Sequence, residues 1–162
     1  MLRGIYPALD AGLAINNNFY LFKIKSIFVY KLILKEKMNI PEDLKYTKDH
    51  EWLKVDGKTG IVGITDYAQN ELGDIIYVDI PAMSDVKQGE TFGTIEAVKT
   101  VSDMLAPVSG KLTEINKSVN DNPAIVNTAP YNEGWLVKIE LSDLSELDGL
   151  LTADAYKNLI GM

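Results

Sequence analysis

The feature that most constrains this chain is its punctuation. The runs 50–55 and 58–64 alternate apolar and polar residues, and Asp56-Gly57 stands between them. Asp-Gly between two such runs is the strongest short-range signal for an antiparallel hairpin, because a type I′ turn needs φ > 0 at both central residues. Further short runs follow at 74–80, 91–95, 101–105, 111–115 and 135–141, with the turn-formers Pro81, Gly89, Pro107 and Gly110 between them. In the first of these, Ile76, Val78 and Ile80 are expected on one face and Tyr77 and Asp79 on the other. Strands this short and this closely spaced form a small antiparallel sandwich or barrel.

Helices are expected only as trimmings. Thr65 can cap a helix over 66–72, where Asp66 suits the positive end of the dipole and Gly73 supplies a left-handed stop. Near the C-terminus, Ser142 is expected to cap 143–150 and Thr152 to cap 153–160. Residues 116–123 read as a polar loop, 86–90 and 107–110 as turns, and Pro41-Glu42 as a turn or first helical step.

The residues that are missing exclude most chemistry. The chain has no cysteine and one histidine. Disulfides, thiolate metal sites and cysteine nucleophiles are therefore absent, and His50 alone can form neither a histidine metal cluster nor more than one Ser-His-Asp triad. Charge is unevenly placed. Residues 1–37 hold six basic and two acidic groups, which leaves ten of the chain's 16 basic and 21 of its 23 acidic groups for residues 38–162. A domain that acidic repels nucleic acid and anionic lipid.

The remaining candidate is the stretch 93–110, where Lys99 sits between two β-prone runs. Val98 and Val101 suit a pleated surface, and the chain is expected to reverse at Lys99 and Thr100. Taken alone, a hairpin-tip lysine is a solvated turn residue. His50 alone is a structural hydrogen-bonding residue, and Trp52, Tyr131 and Trp135 are core or rim packing. Ser102 and Asp103 read as a solvated face.

The surrounding motifs change that reading. They are His50-Glu51-Trp52, Gly60-Ile61-Val62-Gly63-Ile64-Thr65, Glu71-Leu72-Gly73-Asp74, Glu96-Ala97-Val98-Lys99, Ala106-Pro107-Val108-Ser109-Gly110, Asn122-Pro123, and Pro130-Tyr131 followed by Gly134-Trp135. In this order and spacing, residues 38–162 resemble the H proteins of the glycine cleavage system over essentially their full length; Ala97 stands where that family usually has serine. The resemblance implies a mainly β barrel-sandwich hybrid, like the lipoyl and biotinyl carrier domains, with short flanking and C-terminal helices. It implies a non-catalytic shuttle in glycine catabolism. Lys99 would carry lipoic acid in amide linkage. A pyridoxal-phosphate glycine decarboxylase would load an aminomethyl group on the arm, an aminomethyltransferase would unload it, and a dihydrolipoyl dehydrogenase would reoxidise the dithiol. By the same resemblance, Glu96 and Gly110 serve recognition by the lipoate-attaching enzyme, Gly110 also serving a turn. The chain is expected to work as a monomer in a bacterial cytoplasm, without nucleic acid, membrane or metal. Three alternatives stay open: a relay that donates lipoyl groups to other complexes, a biotinyl carrier (which usually has methionine on both sides of its lysine, where this chain has Val98 and Thr100), and a β-module in which Lys99 is incidental.

Residues 1–37 do not conform to the rest. The stretch 19–34 is apolar but carries three lysines, too short and charged for a comfortable membrane span and lacking the cleavage signature of a secretory signal. The expectation is that 1–37 form a non-conforming extension, disordered in the working protein or absent from it, with Met38 as the true start and 38–162 as the carrier domain. The rivals are a cleaved organelle presequence, which would place the protein in mitochondria, and a membrane-touching tail. N-terminal sequencing of the protein from its native host is expected to begin at Met38; a mature chain that keeps residues 19–34 contradicts this.

Overall fold

The computed structural model describes residues 38–162 and, before them, Val29 alone. The chain divides into Met1–Met38 and Asn39–Met162, so the expectations for the first stretch lie outside the described residues. The second unit is an open sandwich of two antiparallel sheets. One has six strands, in the order 45–46, 51–56, 59–64, 137–141, 110–115 and 85–86, and the other three, in the order 75–79, 91–97 and 100–105.

The six-stranded sheet starts from β1 (Lys45–Tyr46), β2 (Glu51–Asp56) and β3 (Thr59–Ile64). The hairpin at its centre is present, but its turn sits one residue later than expected. Asp56 pairs with Thr59, so Gly57 and Lys58 are the central residues, and only Gly57 has positive φ, at 60°. That is the pattern of a type II′ turn, which needs glycine at its first central position alone. The sheet is completed by β5 (Asp85–Val86), β8 (Gly110–Ile115) and β9 (Val137–Leu141). Gly110 is not a turn residue. It opens β8, buried, where a Cβ would run into the Glu140 carbonyl of the neighbouring strand.

The three-stranded sheet consists of β4 (Ile75–Asp79), β6 (Thr91–Ala97) and β7 (Thr100–Leu105). The expected alternation in β4 fails at Ile76. A bulge between Ile75 and Tyr77 inserts one residue, so Ile75 and Val78 point into the core while Ile76 and Tyr77 are half exposed. The core lies between the sheets. Leu53, Val62, Leu112 and Ile139 from one side meet Val78, Ile95 and Met104 from the other, all at 2% exposure or less. Each such side chain contributes roughly 1.5–3 kcal/mol of burial.

The caps at Thr65 and Thr152 are as expected. Thr65 accepts from the Ala68 amide at the start of α1 (Asp66–Leu72), and Gly73, at φ 83°, closes it. Thr152 caps the helix Ala153–Leu159. Two other expectations are corrected. Residues 117–121 are a short helix, α2, because Asn116 caps it by accepting from the Ser118 amide. A further turn of helix, α3 (Ile125–Thr128), follows. The segment after β9 is a 3₁₀ helix, Leu144–Gly149, capped by Asp143 rather than Ser142, and the helix Ala153–Leu159 is therefore α4.

Candidate functional site

The strand run β6–β7 ends in the tightest reversal that two antiparallel strands allow. Ala97 pairs with Thr100, so the tip consists of Val98 and Lys99, one residue earlier than Lys99 and Thr100. Neither tip residue has positive φ, so ordinary side chains fit there without strain. The Val98 amide donates to the Asp74 carbonyl at 3.1 Å, which anchors one side of the tip to the start of β4. Lys99 is exposed, and among the described residues no hydrogen bond or ion pair engages it.

The outer face of this sheet surrounds the lysine. Cross-strand pairing puts Tyr77, Glu96 and Val101 in one row and Asp79, Thr94 and Asp103 in the next. Ile76, Tyr77, Val98 and Val101 are 50–66% exposed. The tip thus presents an apolar collar edged by carboxylates. Glu96 stands in the middle of that collar, half-buried between Tyr77 and Val101. Gly110 lies in the other sheet, and its surroundings account for glycine by backbone approach alone. The exposed pair Ile76-Tyr77 is not readable from alternation. Two successive isoleucines at 75 and 76 were the only hint of a bulge.

Along β7 runs a cleft of about 270 Å³ lined by His50, Tyr67, Glu71, Ser102 and Asp103 among others, with Glu51 in its floor. Glu51 is 2% exposed. It accepts from the Leu105 amide at 3.0 Å and from the Thr47 hydroxyl, so a carboxylate of the six-stranded sheet holds the far end of β7. Burial pushes its carboxyl above the usual range, opposed by those hydrogen bonds. The sequence motif drew attention to His50 and Trp52 and passed over the glutamate between them. Buried Glu is rare enough that only the structure exposes it.

His50 is the one described non-glycine residue with positive φ, at 80°. Its Nδ1 lies 2.8 Å from the Tyr156 hydroxyl, which lies 2.8 Å from the Thr65 hydroxyl. Thr65 already accepts from Ala68. The arrangement that satisfies every donor has Thr65 donating to Tyr156 and Tyr156 donating to a neutral His50 Nδ1. Tyr156 is fully buried, and burial raises its hydroxyl well above the usual tyrosine range, so it stays a donor. Trp52 is core, its Nε1 donating to the Pro130 carbonyl at 3.1 Å, and Tyr131 packs beside it. His50, Trp52 and Tyr131 are thus held by structural bonds and contacts.

A two-sheet β-domain whose central hairpin β6–β7 presents an exposed lysine, Lys99, within an apolar collar has the form of a carrier-type domain. Residues 44–161 match the family described as Glycine cleavage H-protein. The chain is 55% identical over 125 residues to the glycine cleavage system H protein of Staphylococcus haemolyticus, covering 76% of this chain and 99% of that one, and 54% identical over 125 residues to its counterpart in Staphylococcus carnosus. The crystal structure of a glycine cleavage system H protein from Mycobacterium marinum superposes with a TM-score of 0.70 at 40% identity, covering 76% of this chain and all of that one. This chain belongs to the glycine cleavage H-protein family.

His50 gives the fold a pH dependence of definite sign. Burial lowers its pKa from 6.5, with Asp49 and Glu71 opposing. The unfolded chain therefore binds the proton more tightly, and the stability tied to neutral His50 is fully present above pH 6.5 and lost as pH falls below it. His50→Asn keeps a residue that tolerates positive φ. The difference in urea midpoint between wild type and His50→Asn should be constant above pH 6.5 and shrink below it. A difference that stays constant into the acid range contradicts this.

Proposed function

We propose that this chain is the lipoyl-lysine carrier of a glycine cleavage system, with Lys99 as the attachment residue. It takes the aminomethyl group from a pyridoxal-phosphate glycine decarboxylase to an aminomethyltransferase and offers the dithiol to a dihydrolipoyl dehydrogenase, acting as a cytoplasmic monomer that catalyses none of these steps. The observation that carries this is Lys99 at the tip of β6–β7, exposed, unengaged among the described residues and ringed by the apolar collar of Ile76, Tyr77, Val98 and Val101.

The residues fit an amide-linked acyl group. Among the described residues no hydrogen bond or ion pair holds the Lys99 amine back from acylation, in which the deprotonated amine exchanges an N–H for an N–acyl bond, and the amide lacks the charge that would otherwise resist entry into apolar clefts of partner enzymes. When attached, the dithiolane supplies the redox and group-carrying chemistry that a chain without cysteine lacks. Lysine and lipoyl chain together reach roughly 14 Å from the backbone. Ser102 and Asp103 lie three and four positions along β7 from Lys99, about 10–13 Å at strand rise. The cleft beside β7 is therefore within that reach, and Asp49, Glu71 and Asp103 give it a field that attracts a cationic group. Tethering replaces diffusion between partners by a high effective concentration.

Ile76, Tyr77, Val98 and Val101 offer an apolar contact to any enzyme that must reach Lys99. Glu96 at their centre suits recognition by the lipoate-attaching enzyme. For Gly110 the same reading makes its part indirect, through the close strand approach it permits.

Lys99→Arg is the direct test. Arginine keeps charge and bulk at an exposed site, so the thermal midpoint should correspond to a change within ~0.5 kcal/mol, while glycine–bicarbonate exchange with the partner enzymes is abolished. Exchange that survives the substitution would rule out the attachment role.

A further inference from the structure

The segment 122–135 carries several of the sequence motifs, and its Pro130 and Tyr131 pack against Trp52. Within it, Asn127 at the end of α3 makes three hydrogen bonds with one side chain. Its Nδ2 donates to the Gly73 carbonyl and to Gln69 Oε1, both at 2.9 Å, and its Oδ1 accepts from the Ile75 amide at 3.0 Å. Gln69 is buried and fixed in turn, its Nε2 donating to Asp66 at 2.6 Å. The Asn127 amide thus has both protons and its oxygen engaged, on either side of Asp74.

Those partners lead to the tip. The Ile75 N–H and the Asp74 C=O belong to the same peptide group, and in a trans peptide they point in opposite directions from one rigid plane. Asn127 holds the N–H end. The C=O end accepts from the amide of Val98, the residue before Lys99. Bonds in series through one peptide also polarise each other. The plane lies where β4 is least regular, next to the bulge at Ile75/Tyr77 and just after Gly73, whose φ is 83°. Its bond to Val98 is the last rung of the β4–β6 ladder, beside the Ile75–Ala97 pair, so the ladder supports the plane on one side only and Asn127 holds the other.

Asn127 is itself well seated. Val126 beside it is fully buried. A side chain on Gly134 would crowd the Ala129 and Ile125 carbonyls, and Asn116 ties down the Glu133 and Trp135 carbonyls at 2.7 and 2.6 Å.

We propose that Asn127 is a positioning residue for the arm-bearing tip, setting the Asp74–Ile75 peptide plane that holds Val98 and so fixing where Lys99 is presented. The proposal rests on Lys99 being the attachment residue. Its effect falls on the acylation of Lys99, whose amine must meet an activated lipoyl group inside the attaching enzyme, a step sensitive to placement by about an ångström.

The test uses the full chain, two variants of Asn127 and one control variant. Asn127→Asp keeps the acceptor for Ile75 but replaces both donors by an oxygen facing the Gly73 and Gln69 oxygens, and Asn127→Ala removes all three bonds. Ile139→Val, in the six-stranded sheet, supplies a loss of packing remote from the tip. Amide exchange at Val98 should rise about tenfold in either Asn127 variant relative to the amides of β2 and β3 in the same sample. With purified lipoate-attaching enzyme, ATP and lipoate, kcat for modification should fall about tenfold, with KM for the acceptor within about twofold of wild type. Ile139→Val should shift neither quantity. If Val98 exchange and kcat in the Asn127 variants move no more than in Ile139→Val, the residue is merely structural and the proposal fails. A wild-type chain that accepts no lipoyl group overturns the attachment reading, and this role with it, whereas the Val98 exchange result tests the brace independently.

Discussion

The three-stranded sheet that carries Lys99 is separate in its pairing from the six-stranded sheet, and the buried contact between them is what makes the hairpin a fixed base. Apolar packing of Ile95, Val78 and Met104 against Leu53, Val62 and Ile139 supplies most of the attraction. Packing alone does not set a register. Glu51 adds direction, reaching from β2 to the Leu105 amide at the far end of β7, while the Asp74 carbonyl holds Val98 at the near end. A buried carboxylate is an expensive way to make a joint, since desolvation opposes its charge. Its hydrogen bonds to Thr47 and Leu105 offset that penalty and cannot be made in another register.

This division of labour suits a carrier. A swinging arm gains from mobility in the arm and loses from mobility in its root, because every uncertainty at the root multiplies over the arm's length. The fold places its softest chemistry, an unpartnered lysine on a two-residue turn, at the end of a hairpin paired through six registered positions. The exposed collar of Ile76, Tyr77, Val98 and Val101 then gives partners a surface with a defined position relative to the amine. The bulge in β4 is what turns Ile76 outward, so an irregularity in the ladder serves the surface rather than the core.

What was legible in the sequence was local. Thr65, Gly73 and Thr152 act within one helical turn, and their caps are as the residues imply. Seven of the nine described strands are near where alternation puts them; the two-residue strands β1 and β5 are too short to show alternation, and Val86, read as a turn, belongs to β5. Ile76 departs from alternation because β4 is bulged against β6. The turns at Gly57 and Val98 each sit one residue from expectation, since cross-strand pairing, not the turn dipeptide alone, decides which residues are central. Asn116 reads as loop and is a cap. Glu51 and Asn127 are short-range ordinary and long-range decisive, their partners lying 54 and 52–58 positions away. The candidate lysine was readable because family motifs flank it; the groups that hold it in place were not.

In the proposed carrier the acyl arm sits on Lys99 and nowhere else. Peptide mass mapping of the protein isolated from its native host tests it most directly. The account predicts a lipoyl group on the peptide containing Lys99, with every other lysine bare. A lipoyl group on Lys87 or Lys111 with Lys99 unmodified would contradict it.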